Sequence, residues 1–524
     1  MTDARDSGPS APAPENAGAP PRVNSLLLDL ARRRAGGAQP GSALQDLIAG
    51  DEPAAVAAGR GLPPAAVAGI AGFYDLLNLG PQVCDGTACH FAGRERLVAA
   101  LGADGAGTVR CLGYCYAAPS LMVGDHVFAL PRGRAAEEWF AHRGESDGDP
   151  HTIPRRSLAP RPVVLRNLLP GGPAPGPGEY DLPDGDAILA ALEAAKLRGR
   201  GGAAFPTAAK WRAARETPAE DRWVVANGDE GDPGSFVDRL LLEEDPHAVL
   251  AGMVACARVI GARRGIVYVR GEYPRARRRV REAIADARAA GHLGRDFDVE
   301  LFSGAGSYVC GEETALLNSI LGLRGEPRLK PPYPSEAGLH GLPTVVQNVE
   351  TLSLIPWVAR SGVRTGTKAL SLSGAVAEPG VYEIELGTPL SRVLEAAGGA
   401  PEGRRWSMAL VGGPMGRVLP RSAFEAPLSF EQLLGLGHGG IVMLDESVSP
   451  RMLAEHLFEF ARAESCGYCT PCRAGTQRLH ELRDRPALER LLETIGTGSM
   501  CGFGQGVPRP IRDLLEHFGE AVLR

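Results

Sequence analysis

Lysine is nearly missing from this chain of 524 residues. It stands only at positions 196, 210, 330 and 368, while arginine, alanine, glycine and proline are abundant. Such a bias is typical of a GC-rich genome, and it gives each remaining lysine some weight as a sign of function. Long hydrophobic runs are missing too. None approaches the ~20 residues that span a bilayer, and the best candidate, around Ala248 to Val269, is broken by Arg258, Arg263 and Arg264. The opening stretch MTDARDSGPSAPAPENAGAPP lacks the apolar segment of a secretory leader. An excess of positive charge is absent: 56 Lys plus Arg against 62 Asp plus Glu leaves −6, which argues against general nucleic-acid binding. No unit of roughly 20–50 residues repeats. These absences predict a soluble, cytoplasmic protein. With 44% apolar and 23% charged residues the chain can build several cores, which excludes global disorder. At about 150 residues per domain, three or four domains are expected.

The composition divides the chain. Residues 1–23 are Pro/Ala/Gly-rich, bury too little to offset ordering and are expected to be disordered. Residues 24–131 begin with short helical patterns. Asn24 is a candidate cap, and Leu62-Pro63-Pro64 opens a helix carrying Val67, Ile70, Phe73, Tyr74 and Leu77. They end in β-like pieces (LMVGDHVFAL) between cysteine-bearing loops. Residues 132–183, with PGGPAPGPG, read as a linker. Over 184–364 strands alternate with helices: Asp186 is the expected cap of ILAALEAAKL, and WVVAN, GIVYV and VELF read as buried strands of a mainly parallel sheet. Over 365–446, LSLSGAV and VYEIEL flank Ala377-Glu378-Pro379-Gly380, which predicts a hairpin with a type II turn. Residues 447–524 carry helical apolar spacing (Leu453, Leu457, Phe460; Leu488, Leu492, Ile495; Ile511, Leu514, Leu515), a small bundle.

Eight of the ten cysteines fall in two sets. Cys466, Cys469 and Cys472 lie three residues apart, and Cys501 follows at a distance. Three thiolates on one short stretch plus one remote thiolate suit a [4Fe–4S] cluster. A four-cysteine zinc site is the alternative, although zinc more often takes two pairs. The second set is paired, Cys84 with Cys89 and Cys111 with Cys115, which suits a [2Fe–2S] centre with one pair per iron; zinc is a heavier alternative here. Cys256 and Cys310 sit among apolar residues and read as core.

Five segments carry candidate binding chemistry. Arg198-Gly199-Arg200-Gly201-Gly202-Ala203-Ala204-Phe205-Pro206 is glycine-rich but follows a helix, so taken alone it is weak evidence and equally an interhelical loop. Asn227-Gly228-Asp229-Glu230-Gly231-Asp232-Pro233-Gly234 and Gly304 to Thr314 follow predicted strands, where open parallel sheets bind ligands. Lys330-Pro331-Pro332-Tyr333 and Gln347-Asn348-Val349-Glu350-Thr351 complete the group.

Taken in order, RGRGGAAFPTAAKW, NGDEGDPGSFVDR, VRGEYP, GSYVCGEETALLNS, RLKPPYP, QNVETL and ESCGYCTPCR with SMCGFG resemble the NADH-oxidising flavoprotein subunit of respiratory complex I and its relatives. Those relatives are the diaphorase subunits of NAD-reducing hydrogenases and of molybdenum- or tungsten-containing formate dehydrogenases. Residues 24 to about 130, with FYDLLN, CDGTAC and CLGYCYAAP, resemble the thioredoxin-like [2Fe–2S] subunit of the same machinery, here fused to it. The resemblance implies a multidomain α/β fold: a thioredoxin-like ferredoxin domain with a helical lead, a Rossmann-like FMN/NADH domain, a small β-grasp (SLBB-type) domain and a helical bundle with the [4Fe–4S] cluster. It implies FMN held by Gly199, Gly201, Lys210, Asn227, Asp229, Glu230, Gly311, Glu312, Glu313 and Asn348. It places NAD(H) over the flavin, with Phe205 and Tyr333 near adenine and Lys330, Tyr308 and Asp232 nearby, and it puts Glu230 and Glu313 at the catalytic centre. Cys466, Cys469, Cys472 and Cys501 carry over as [4Fe–4S] ligands, and Cys84, Cys89, Cys111 and Cys115 as [2Fe–2S] ligands.

The sequence departs from the family pattern at Ala204, where glycine is usual, and at Asp232, Tyr333, Gln347 and Ala213. GDEGDPG and the fusion favour the hydrogenase and formate dehydrogenase branch. The expected function is exchange of hydride between NAD(H) and FMN and of single electrons with iron–sulfur clusters, which requires no acid–base dyad from the protein. The leading expectation is the β subunit of an NAD-dependent formate dehydrogenase, paired with a molybdenum or tungsten α subunit. A hydrogenase diaphorase subunit and a complex I-type subunit are the alternatives, and a zinc-stabilised scaffold without redox activity is a distant one. The scattered histidines, His90, His247 and His456, read as surface or satisfied core.

Overall fold

A computed structural model describes residues 43–77, 80–102, 106–130, 151–172, 176–363, 365–430 and 436–523. The expected disordered tail (1–23) and the helix expected after Asn24 lie outside the described residues. Three short helices lead: α1 (Ala43–Ile48), α2 (Pro53–Arg60) and α3 (Pro64–Ala71). Proline at the first position of α3 lacks only an N–H that would have no partner there. Val67, Ile70 and Tyr74 bury themselves against Trp223, Val225 and Tyr268. Strands β1 (Gln82–Cys84), β2 (Gly107–Val109), β3 (Ser120–Val123) and β4 (His126–Ala129) form a sheet of order β2-β1-β3-β4. Helices α4 (Thr87–Phe91) and α5 (Arg94–Leu101) are inserted between β1 and β2, and Leu97 packs against Val83, Leu121 and Leu130.

The stretch expected as a linker is structured where it is described. Arg155–Ser157 forms β5, and Ile153, Val163, Val164 and Leu165 are buried. The Glu383 carboxylate accepts the amides of Val163, Val164 and Leu165 at 2.7, 3.0 and 2.9 Å. Proline and glycine here serve an irregular but packed chain, because its backbone donors find a buried acceptor.

Next comes an open parallel sheet of order β8-β7-β6-β9, made of β6 (Trp223–Gly228), β7 (Arg264–Val269), β8 (Asp298–Ser303) and β9 (Thr344–Asn348). Its helices are α6 (Gly185–Ala194), α7 (Thr207–Glu216), α8 (Val237–Glu244), α9 (Pro246–Ile260), α10 (Pro274–Ala289), α11 (Glu313–Ile320), the single turn α12 (Pro334–Ala337) and α13 (Val349–Ser361). The cap of α6 is Asp184, which accepts from Ala187 N at 2.8 Å. Asp186 lies in the first turn instead and pairs with Arg215.

The hairpin is present as β10 (Thr367–Gly374) with β11 (Gly380–Glu385). Its left-handed glycine is Gly374 (φ 81°), not Gly380. Gly380 is needed for close approach: a Cβ there would lie 2.4 Å from the Pro154 carbonyl, where β5 pairs with β11. Helix α14 (Leu390–Ala396) and strands β12 (Trp406–Val411), β13 (Arg417–Pro420) and β14 (Gly440–Asp445) complete a six-stranded sheet, β13-β12-β14-β10-β11-β5. Helices α15 (Pro450–Glu464), α16 (Thr470–Arg478), α17 (Arg485–Gly498), α18 (Gly502–Gly506) and α19 (Pro508–Phe518) form the terminal bundle. No helix among the described residues is long and apolar enough to cross a membrane.

Candidate functional site

The predicted binding segments meet at the carboxyl edge of the parallel sheet, where β6, β8 and β9 end at residues 228, 303 and 348. The glycine-rich loop between α6 and α7 folds back on itself, with Gly199 N donating to Phe205 O at 2.9 Å. Gly201 passes so close to β9 that a Cβ would sit 2.9 Å from Asn348 Cβ, which explains a glycine there. Ala204 adopts φ 50°, a left-handed conformation that favours glycine. Helix α7 delivers Lys210, whose Nζ donates to Glu313 Oε2 at 3.0 Å and to Val346 O at 3.1 Å. Lys330 approaches Glu312 and Glu313 from the other side, at 2.7 and 3.1 Å. Two of the four lysines thus share Glu313. Burial opposes its charge, but the lysines prevail and hold its carboxyl below the usual range. Phe205 and Tyr333 are each 52% exposed, large aromatic faces open to a planar ligand.

After β6, Asn227 Nδ2 donates to Gly311 O at 3.0 Å and ties this segment to the one after β8. Glu230 turns inward and accepts the amides of Asp238 and Arg239, at 3.1 and 3.0 Å, at the start of α8. Asn348 caps α13 and donates to Asp238 Oδ2 at 2.6 Å. Tyr308 donates to Asp232 Oδ1 at 2.5 Å and stacks edge-on against Phe460 of the bundle. Asp229 is buried, and burial pushes its carboxyl up to about 8. Its Oδ2 has no partner among the described residues. A buried polar oxygen without a partner at a strand end is what the hydroxyls of a bound nucleotide would satisfy.

Two residues of this site carried little or no signal beforehand. His438, on the loop before β14, bonds Asp232 Oδ2 at 2.7 Å. Although burial disfavours its charge, the facing carboxylates of Asp232, Asp238 and Glu230 raise it to about 9. Lys368 is fully buried, pairs with Glu350 and donates to His438 O at 2.8 Å. Lysine scarcity was the one clue to Lys368; nothing marked His438.

Both cysteine sets are brought together. Cys84, Cys89, Cys111 and Cys115 are buried, with Cys111 and Cys115 sulfurs 3.5 Å apart and the Cys84 thiol within hydrogen-bond reach of Cys111 and Cys89. Cys466, Cys469 and Cys472 surround the start of α16, and Cys501 at the cap of α18 faces them. A single tetrahedral zinc, at about 2.3 Å from each sulfur, would draw its ligands to within ~4 Å of one another. Among the described residues, only Asp85, His90 and His456 place three such ligand atoms within 4.8 Å. In neither set do three sulfurs come that close together, which suits a cluster of several irons more than one zinc. Cys256 and Cys310 are core residues whose thiols burial pushes up.

An open sheet gathering loops around unpartnered polar groups, joined to two cluster-forming thiol sets, defines a redox module of the flavin and iron–sulfur class. Comparison with known proteins is specific. Family models match for the thioredoxin-like [2Fe-2S] ferredoxin over residues 43–138, the Nuo51 FMN-binding domain over 192–357, the SLBB domain over 371–419 and the NADH-ubiquinone oxidoreductase-F iron-sulfur binding region over 452–524. The chain is similar to the F 2 subunit of the NADH-quinone oxidoreductase of Rhizobium meliloti, 39% identical over 374 residues, 65% of this chain and 88% of that protein. It is 41% identical over 355 residues to NADP-reducing hydrogenase subunit HndC of Solidesulfovibrio fructosivorans, 62% of this chain and 72% of that one. A chain in the air-oxidised crystal structure of an NAD+-reducing [NiFe]-hydrogenase superposes with a TM-score of 0.81 at 34% identity, covering 92% of this chain and 93% of its own. The protein belongs to the family of NADH-oxidising flavoprotein subunits that includes those of the NADH-quinone oxidoreductases and the hydrogenase diaphorases. Its cofactors are FMN, NAD(H), a [4Fe–4S] cluster and a [2Fe–2S] cluster.

Proposed function

We propose that this chain is the diaphorase subunit of an NAD-dependent formate dehydrogenase. The observation that carries the diaphorase reading is the convergence of the segments after β6, β8 and β9 around the unpartnered Asp229 oxygen. FMN supplies the hydride acceptor and the split into single electrons. Gly199, Gly201, Lys210, Asn227, Asp229, Gly311, Glu312, Glu313 and Asn348 would hold it, with Lys210 and Glu313 already joined as an ion pair. Phe205 and Tyr333 bracket the adenine of NAD(H), and Tyr308, Asp232 and Lys330 line its path. Buried Glu230 works through α8, anchoring the strand end. Cys466, Cys469, Cys472 and Cys501 hold the [4Fe–4S] cluster, and Cys84, Cys89, Cys111 and Cys115 the [2Fe–2S] cluster.

Asp232 in GDEGDPG and the fused [2Fe–2S] module support the hydrogenase and formate dehydrogenase branch over the complex I one. A hydrogenase partner is the second reading, favoured by the near full-length likeness to a chain of an NAD+-reducing hydrogenase. Purifying the native complex tests both: a molybdenum- or tungsten-bearing subunit with formate-driven NAD+ reduction is expected, whereas nickel would reverse the assignment. For the site, Lys210→Ala should lower flavin content; full flavin occupancy would overturn the placement of FMN.

A further inference from the structure

Arg270 follows β7 in the VRGEYP stretch and is 5% exposed. One of its guanidinium nitrogens, Nη1, donates to the carbonyl of Glu230. The other, Nη2, donates to the carbonyl of Cys111 at 3.0 Å and to Glu272 Oε1 at 2.6 Å. Nε has no partner among the described residues. A single desolvated cation therefore touches the backbone of a thiol in the buried cysteine set and the backbone of the acid that anchors the flavin-side segment. The surroundings bind the same two segments. The Gly234 amide donates to the Cys115 thiol, and Pro233 lies where a Cβ on Gly86 would meet it at 3.4 Å. Tyr273 reaches Glu230 Oε2 at 3.3 Å, and Arg239 spans from Glu243 to the Gly113 carbonyl at 2.8 Å.

We propose that Arg270 is a positioning residue that couples the [2Fe–2S] centre electrostatically to the flavin site, setting the reduction potentials of both. This rests on Cys84, Cys89, Cys111 and Cys115 holding that centre and on the segment Asn227 to Asp232, whose Glu230 carbonyl Arg270 meets, standing at the flavin. Reduction adds negative charge on either side of the guanidinium. In a site shut off from water a fixed cation favours that charge far more than it would in solvent. Iron–sulfur potentials respond to net charge and hydrogen bonding near the sulfurs. Glu272 partly cancels the cation, so the pair sets how much of its field each centre receives. Because one charge serves both centres, its loss must be felt at both.

The test is a potentiometric titration of the purified full chain, with the two clusters followed separately by electron paramagnetic resonance and the flavin by absorbance. Arg270→Met, which keeps bulk and removes charge, should lower the [2Fe–2S] reduction equilibrium at least tenfold, about 59 mV for a one-electron couple. The flavin potential should fall with it, while the [4Fe–4S] potential should move least, and its signal reports an intact fold. Glu272→Gln should move both centres the opposite way. Unchanged [2Fe–2S] and flavin potentials in Arg270→Met, or a shift in one centre alone, would overturn the coupling. If Arg270→Met fails to assemble the centre, Glu272→Gln decides: an upward shift of both supports the proposal, and no shift overturns it. Absence of a [2Fe–2S] signal in the unmodified protein would instead overturn the cluster assignment beneath it.

Discussion

Cys84, Cys89, Cys111 and Cys115 are all buried, whereas Cys466, Cys469 and Cys501 are half-exposed and only Cys472 of that set is buried. The first set is enclosed by the flavin-binding segments, through Arg270, Gly234 and Pro233. The second is held by its own bundle: Ser465 Oγ lies 3.4 Å from Cys472 Sγ, the amides of Gly504 and Phe503 face Cys501, and Tyr468 between two of the cysteines is 42% exposed. Burial pushes Cys466 up to about 11 and Cys472 up to about 12. Cys111 goes the other way, drawn well down by bonds from Cys115 and Cys84 and by Arg270. The first set thus faces inward, and the second lies nearer to solvent. Distance along the chain does not decide this; which surfaces close over the thiols does.

The sharpest way to break the comparison is to remove one thiol from each set. Cys469→Ser should fold, retain flavin and still pass hydride from NADH to FMN, but lose most of its iron and its transfer to one-electron partners. Cys111→Ser should cost folded yield as well, because its loop carries contacts from Arg270 and lies beside the Gly113 carbonyl held by Arg239. Iron analysis, flavin content and soluble yield report the difference; equal yields would mean that the inward set is not structural. In intact protein, a chelator or air should bleach the half-exposed centre well before the enclosed one, as solvent access governs thiol chemistry. Loss of both signals at one rate would remove the contrast.

A second perturbation targets the floor of the enclosed end. Lys368 and Glu350 form a fully buried ion pair between β10 and the start of α13. Lys368→Met leaves Glu350 charged and alone, which costs about 3–5 kcal/mol. Denaturant unfolding should show this loss. The exposed pair Arg392 with Glu395, on α14, offers the control: Arg392→Ala should change stability by less than ~1 kcal/mol.

The parts of this contrast differ in how far they could be read in advance. The two cysteine sets, the strands of the parallel sheet and the hairpin announce themselves through spacing and period, which are local. Asp184 rather than Asp186 caps α6 because a cap is fixed by backbone geometry, and two acids two residues apart cannot be told apart by pattern. The 132–183 stretch looked like linker since its buried residues find their acceptor in Glu383, over 200 positions away. Arg270 to Cys111 and His438 to Asp232 likewise join residues 159 and 206 apart. No period encodes such pairs, so the enclosed end of the molecule was legible as motifs but not as a connected site. Ala204 was visible as an oddity, and its φ of 50° gives the reason. Ala204→Gly should add roughly 1 kcal/mol of stability by relieving that strain, measurable in the same unfolding experiment.

Acidity offers the mildest probe of the same division. Around the enclosed end, burial raises Asp229 and Asp238 to about 8, and neighbouring carboxylates raise His438 to about 9. All three hold protons more tightly folded than unfolded. Their contribution is therefore complete below the unfolded values, near 4 for the acids and 6.5 for the histidine, and is lost as pH climbs through the folded ones. Without bound cofactor, the flavin-side sheet should weaken between pH 7 and 9, by on the order of 1 kcal/mol per pH unit for each group still titrating. Helix α17 relies on exposed pairs such as Arg485 with Glu489 and should respond little. Hydrogen exchange resolves the two regions in one experiment: protection in β6 should fall with pH faster than chemistry alone dictates, while protection in α17 should not. Asp229→Asn, which cannot ionise, should flatten the β6 response. A parallel decline in both regions would show that the enclosed carboxyls do not govern it.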